Sequence, residues 1–243
     1  LAEETVVKPK PMVEVGGMPI LWHIMMIYSC YGFDEFAIAL GYKGEFIKKF
    51  FVDYASLQSN LTIDIGNSEI HRHGTELPNW KVQLIDTGPE TATGGRIKRL
   101  QPYVGDSAFL LTWGDGVADI DIHELIEFHR SHGKICTLTA VHPPARYGHI
   151  AIDGAQITEF TEKPQAAEGW INGAFFVMEP EIADFIDGDD TLFEREPLER
   201  LAAKGELMAY KHTDFWACMD TMRDKVMLED LWESGNAPWK VWK

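Results

Sequence analysis

Hydrophobic and polar positions along the chain follow two alternating rhythms. Residues 19–31 read as a helix, opened by Pro19 and closed before Gly32. Residues 36–40 are a compact apolar run ending at Gly41, which predicts a buried strand. Helical spacing returns at 43–54, with Phe46, Ile47, Phe50 and Phe51 on one face. A second buried strand is predicted at 108–112, a helix at 121–132 and a strand at 136–141. Strands alternating with helices predict an α/β fold, with a mixed, mostly parallel sheet and helices on both faces.

Two stretches break the rhythm. Residues 61–65 and 80–85 each alternate, with a polar segment between them, and are expected to form a hairpin-like antiparallel insertion over 61–85. Residues 150–177 hold short apolar runs, at 150–152, 157–160 and 171–177, that read as small strands of an irregular region. A helix at 194–204, a strand at 207–211 and a helix at 221–233 complete the pattern. The expectation is one domain over residues 1–243.

Composition narrows the function classes. The chain has 243 residues, 45% hydrophobic and 25% charged, which is ordinary for a globular protein. No apolar run approaches the roughly 20 residues that cross a bilayer, and no basic-then-apolar leader opens the sequence. Cys30, Cys136 and Cys218 are odd in number and widely spaced, which argues against a disulfide framework or a zinc site and suits the reducing cytoplasm. The net charge is −16, from 38 acidic and 22 basic residues, so a nucleic-acid footprint is missing and no membrane partner is expected. An acidic chain handles phosphates only where cations cluster locally or a metal supplies the charge.

Five segments fit that need. Lys8-Pro9-Lys10-Pro11 holds two lysines on a proline-restricted, extended backbone, where a surface turn would be the plainer use. Thr91-Ala92-Thr93-Gly94-Gly95-Arg96 combines glycines, which admit close approach, with cations, although a plain turn before a helix explains it equally well. In Trp113-Gly114-Asp115-Gly116 a carboxylate follows a buried strand, where α/β sheets bind ligands. Asp220 follows a hydrophobic stretch and precedes a helix, so it is either an N-cap or a second metal carboxylate. Glu162-Lys163-Pro164 and Asn172-Gly173 supply donors, acceptors and a cation suited to a sugar phosphate, though each alone is commonly a surface residue.

Taken in order, KPKPM at 8–12, ILWHIM at 20–25, TGGRIKR at 93–99, GDGVAD at 114–119, EKP at 162–164 and NAPWK at 236–240 resemble the sugar-phosphate nucleotidyltransferase family over essentially the whole chain. The resemblance implies a Rossmann-like α/β/α fold. It is strongest to members that use CTP and glucose 1-phosphate with Mg2+, in nucleotide-sugar supply for the dideoxyhexoses of lipopolysaccharide O-antigen. It further implies that Lys10 binds phosphate and that Asp115 and Asp220 hold the metal. Thr91, Gly94, Gly95, Arg96 and Gly114 fall in segments that line the nucleotide. Gly148, Glu162, Lys163, Asn172 and Gly173 fall in segments that hold the sugar phosphate. A cytoplasmic homo-oligomer, a hexamer, is implied as well. The family begins with a strand and a Gly-Gly-x-Gly-Thr-Arg loop, whereas this sequence begins after that point, so an N-terminal segment is expected before Leu1.

Sequence physics leaves the base open, because no residue reports whether cytosine, uracil or thymine is read. A metal-dependent glycosyltransferase, with Asp119 or Asp121 joining Asp115, and a non-catalytic nucleotide-sugar binder are the rival readings.

Overall fold

In the computed structural model, which describes residues 1–74, 76–143, 149–153, 156–161 and 169–242, the chain opens with one turn of helix, α1 (Ala2–Thr5), and a 3-10 turn at Lys10–Met12. Pro9 is extended, with φ −67° and ψ 151°, and Pro11 lies inside the turn. The expected extended Lys-Pro segment is therefore bent once, because a proline φ suits a first helical turn as well as an extended chain. A tight hairpin follows, β1 (Glu14–Val15) and β2 (Met18–Pro19). Val15 faces Met18, so Gly16 and Gly17 alone form its loop. Their φ values of 59° and 75° are those of a type I′ turn.

Next come α2 (Ile20–Cys30), β3 (Glu35–Leu40), α3 (Gly44–Leu57), β4 (Asn60–Asp64), β5 (Glu69–His73), β6 (Lys81–Asp86) and α4 (Thr93–Val104). The pairing corrects the antiparallel arm expected over 61–85. β4 pairs with β5, Ile63 opposite Ile70, whereas β6 runs parallel to β3 from Glu35↔Lys81 to Leu40↔Asp86. The reason is burial. Val82 and Leu84 of β6 join Phe36 and Ile38 over Ile47, Phe50 and Phe51 of α3, while β4 and β5 are exposed almost throughout and close on each other through a short turn at 65–68.

The second half runs β7 (Phe109–Thr112), β8 (Gly116–Ala118), α5 (Ile122–His132), β9 (Cys136–Val141), β10 (His149–Asp153), β11 (Gln156–Thr161), β12 (Ile171–Met178), a 3-10 segment at Pro180–Phe185, α6 (Glu196–Ala203), β13 (Leu207–His212), β14 (Trp216–Cys218) and α7 (Met222–Glu233). A four-stranded mixed sheet has the order β13-β9-β12-β7. β13 is parallel to β9, and β12 is antiparallel to both of its neighbours. Phe175 and Val177 of β12 enter a core shared with Ile24 and Ile27 of α2, Leu125 of α5 and Leu228 of α7. Phe176 and Met178 enter another, with Ile97 of α4 and Leu198 and Leu201 of α6. Helices thus cover both faces, and β12 is no minor strand of an irregular region but an inner strand of the main sheet.

The last described residues fold back on the rest of the chain. Trp239 is fully buried and stacks on Phe215 with ring centroids 5.6 Å apart, and Trp242 meets Trp22 at 5.7 Å. Among the described residues no helix is long and apolar enough to cross a membrane.

Candidate functional site

Three segments far apart in sequence meet at the ammonium of Lys10. Its Nζ donates to Asp115 Oδ2 at 2.7 Å and to Asp220 Oδ1 at 2.5 Å. The fold builds this meeting from three local features. The 3-10 turn presents Lys10, and Pro11 beside it packs on the loop of Asp115: a Cβ added to Gly114 would lie 2.7 Å from Pro11 Cγ. Asp115 itself follows β7 and precedes β8. β14 then pairs antiparallel with β8, placing Cys218 opposite Gly116, and Met219 N donates to Asp115 O at 2.9 Å. That bond ties the backbones on which the two aspartates sit.

Asp220 is not the helix cap. Thr221 caps α7, in a reciprocal capping box with Asp224. Lys8, expected to work beside Lys10, turns away and pairs with Glu14 at 2.9 Å. Alternate side chains on a bent backbone point in different directions, which separates the two lysines. Burial opposes the charge on Lys10, yet its bonds to Asp115 and Asp220 outweigh that cost and hold its ammonium above the usual lysine range.

The donor set fits a divalent cation. Two carboxylates already converge on one internal cation, and ligand atoms of Asp115, Cys218 and Asp220 all lie within 4.8 Å of one another. Hard cations take carboxylates together with substrate phosphates. Cys218 was missed from sequence. Its only signal was alternation in Trp216-Ala217-Cys218, which puts the thiol on the Trp216 face of β14. Burial first, then the Asp115 charge, pushes its thiol up from the ordinary range.

The Thr91–Arg96 segment forms the start of α4, but the backbone it admits is the chain's own. A Cβ on Gly94 would lie 2.7 Å from Thr191 O, and one on Gly95 2.6 Å from Asp189 Cα. Thr91 is buried beneath them. Arg96 donates to Thr87 Oγ1 at 2.7 Å, and its burial lowers the affinity of the guanidinium for its proton.

Asn172 and Gly173 open β12 at a bulge. Asn172 Oδ1 accepts from Ala174 N at 2.8 Å, where Ala174 has φ 62°. Gly173 is bare because a Cβ would meet Val141 Cγ1 at 2.7 Å, and its carbonyl accepts from Trp216 Nε1 at 2.8 Å. Trp216 thereby links this bulge to the strand that leads to Cys218 and Asp220. Gly148, Glu162 and Lys163 lie outside the described residues.

The aspartates required by a glycosyltransferase reading are engaged elsewhere. Asp119 Oδ1 lies 3.1 Å from His212 Nε2, and Asp121 caps α5 by accepting from Glu124 N at 3.0 Å.

Comparison with known proteins shows the family of the chain. The family model described as Nucleotidyl transferase matches residues 4–233. The chain is 52% identical to the glucose-1-phosphate cytidylyltransferase of Salmonella typhi over 244 residues, covering 100% of this chain and 95% of the relative. It is 42% identical to the probable glucose-1-phosphate cytidylyltransferase of Bacillus subtilis (strain 168) over 235 residues, covering 96% and 92% of the two chains. The solved structure of HddC from Yersinia pseudotuberculosis has the same fold, with a TM-score of 0.66 at 24% identity, covering 92% of this chain and 90% of that one.

Proposed function

We propose that this chain, which belongs to the nucleotidyl transferase family, transfers the CMP group of CTP to glucose 1-phosphate, giving CDP-glucose and pyrophosphate. The observation that carries the reading is the convergence of Lys10, Asp115 and Asp220, in a chain that shares half its residues with a cytidylyltransferase along its whole length.

The attacking oxygen of a sugar 1-phosphate is already anionic, so it needs no general base. It attacks the α-phosphorus in line, and pyrophosphate leaves with the bridging electrons. The protein's task is alignment and charge balance. Asp115 and Asp220 would hold Mg2+, which when bound offsets charge on the reacting phosphates. Lys10 steadies the triphosphate once it leaves the two carboxylates. By the family resemblance Thr91, Gly94, Gly95, Arg96 and Gly114 belong to the segments that border the nucleotide, although Gly94 and Gly95 themselves make room for the chain's own 189–191 backbone. Gly148, Glu162, Lys163, Asn172 and Gly173 hold the sugar phosphate, with the Lys163 ammonium on its phosphoryl group. A cytoplasmic setting suits a triphosphate substrate and three free cysteines, and the product suits the supply of O-antigen sugars. A homo-oligomer, a hexamer by family resemblance, is part of the same reading.

The test is pyrophosphate release with glucose 1-phosphate and each nucleoside triphosphate in turn. CTP should support turnover well above UTP, dTTP, GTP and ATP, and equal turnover with UTP would overturn the base assignment. Asp115→Asn and Asp220→Asn should each lower turnover on the order of a hundredfold or more while the circular dichroism spectrum is kept. Full activity in either would remove that carboxylate from the site.

A further inference from the structure

Magnesium asks only for oxygen, yet the cluster around Lys10 also holds sulfur. Cys218 ends β14, two residues before Asp220 and across the strand pair from Gly116, next to Asp115. Its Sγ and one carboxylate oxygen from each aspartate lie within 4.8 Å of one another. Side chains on such a scaffold reach a common ion by small rotamer changes. The backbones are fixed, because Met219 N donates to Asp115 O and Met219 is fully buried. The internal ammonium of Lys10 marks where a cation sits, since it touches both carboxylates.

Ligand softness decides which cation such a set prefers. Carboxylates alone suit magnesium, calcium and manganese, whereas a thiolate adds selectivity for zinc and its heavier congener cadmium. We propose that Cys218 makes this centre a mixed oxygen–sulfur site, which captures a thiophilic divalent cation of the zinc and cadmium class between Asp115, Asp220 and its own sulfur. The proposal rests on the reading of Asp115 and Asp220 as metal carboxylates. Binding expels the Lys10 ammonium from between them and releases the thiol proton to solvent, as metal binding to cysteine requires. Such an ion blocks the site for the hard cation that the reaction uses, so the centre is inhibited by soft metals.

Cadmium is the probe, because a cadmium–thiolate bond has its own ultraviolet charge-transfer absorption, independent of turnover. The intact chain carrying Cys30→Ser, which removes the exposed thiol, is titrated with cadmium chloride without nucleotide. The expected result is a charge-transfer band that saturates at one equivalent and is lost when Cys218→Ser is added. No band, or a band that survives Cys218→Ser, overturns the proposal. Should Cys218→Ser fail to fold, cadmium NMR of the Cys30→Ser chain decides instead. A resonance shifted downfield of the all-oxygen range supports sulfur ligation, and one within that range refutes it. Pyrophosphate release with magnesium is measured on the same preparation. If it is intact while the band is absent, the thiol is excluded and the cytidylyl-transfer reading stands. If cadmium binds through sulfur but no triphosphate gives pyrophosphate, that reading fails and the metal site remains.

Discussion

Lys10 and His23 show how one side chain is set by what surrounds it. Lys10 is charged between two carboxylates, so its removal deprives Asp115 and Asp220 of their internal counter-ion and, on the proposed function, deprives the triphosphate of a donor. Charge-assisted hydrogen bonds are typically worth about 1.5–3 kcal/mol. Lys10→Ala is therefore expected to weaken CTP binding by roughly 10- to 100-fold in calorimetry, while Lys163→Ala acts mainly on glucose 1-phosphate. Unchanged affinities for both substrates in both variants would refute the division. His23 is the opposite case. It is fully buried; its Nε2 faces Val15 O at 2.8 Å and its Nδ1 takes the indole N–H of Trp239 at 3.4 Å. With both nitrogens engaged in this way the neutral ring fits and the charged one does not, and burial pushes its pKa down to about 4. The unfolded chain binds this proton near the ordinary value of about 6.5, the native chain only near 4. Stability held above pH 6.5 is thus lost as pH falls toward 4, to a total of about 3 kcal/mol. Urea denaturation at about pH 7.5 and about pH 5 should show a loss near 2 kcal/mol in the parent that shrinks in His23→Gln. An identical pH dependence in the two chains would remove His23 as its source.

At the scale of the element, the sequence disclosed that an element exists more readily than where it sits. The helices at 44–57 and 122–132 were legible because a solvent face alternates with a core face, and the one at 20–30, buried almost all round, because Pro19 opens it and Gly32 lies just beyond its end. β12 was read as a strand at 171–177, but its place inside the main sheet was not legible, since a strand that is apolar on both faces and carries a bulge names no layer. Pairing partners were harder still. Alternation finds a strand but names no neighbour, so β4 was given to 80–85 when a nearer segment, β5, could close on it. The type I′ hairpin between β1 and β2 was also missed, although a Gly-Gly pair between short extended runs is its usual signal. This hairpin follows the Lys10 turn and feeds α2, and its two glycines differ. A Cβ on Gly16 would stand 2.0 Å from Trp232 Nε1, whereas one on Gly17 meets open space. Gly16→Ala should cost about 1–3 kcal/mol through overpacking against a tryptophan held in the C-terminal aromatic cluster. Gly17→Asn should be close to neutral, because asparagine accepts positive φ. Denaturation midpoints compare the two, and equal losses would show that backbone strain and not the Trp232 contact governs the turn.

Across the whole molecule, the candidate site was legible as separate strings and not as a place. GDG and the Asp before α7 were singled out in sequence, but only the β14–β8 pairing, 100 residues apart, sets them side by side. Cys218 had no motif to announce it. The same scale holds the surface that catalysis leaves without a task. Directly opposed residues share a face of an antiparallel pair, so Leu61, Ile63 and Ile70 lie together on the β4–β5 hairpin beside Arg72, which reaches away to Ser56 Oγ, and the three apolar residues are 40%, 59% and 52% exposed. The opposite face, with Thr62, His71, Asp64 and Glu69, is polar. A hairpin with an exposed apolar face is a liability unless something covers it. The tail tryptophans do not, since they are spent on their own subunit around His23. A second copy of the chain is the cover that the oligomer reading supplies. Burying an isoleucine contributes about 1.5–3 kcal/mol, so replacing Ile63 and Ile70 together by threonine, which keeps strand propensity, should weaken association by roughly a hundredfold or more. Light scattering at about micromolar concentration should find the parent oligomeric and the double variant shifted to smaller species. A monomeric parent would end the oligomer reading, and an unshifted variant would move the contact away from this hairpin.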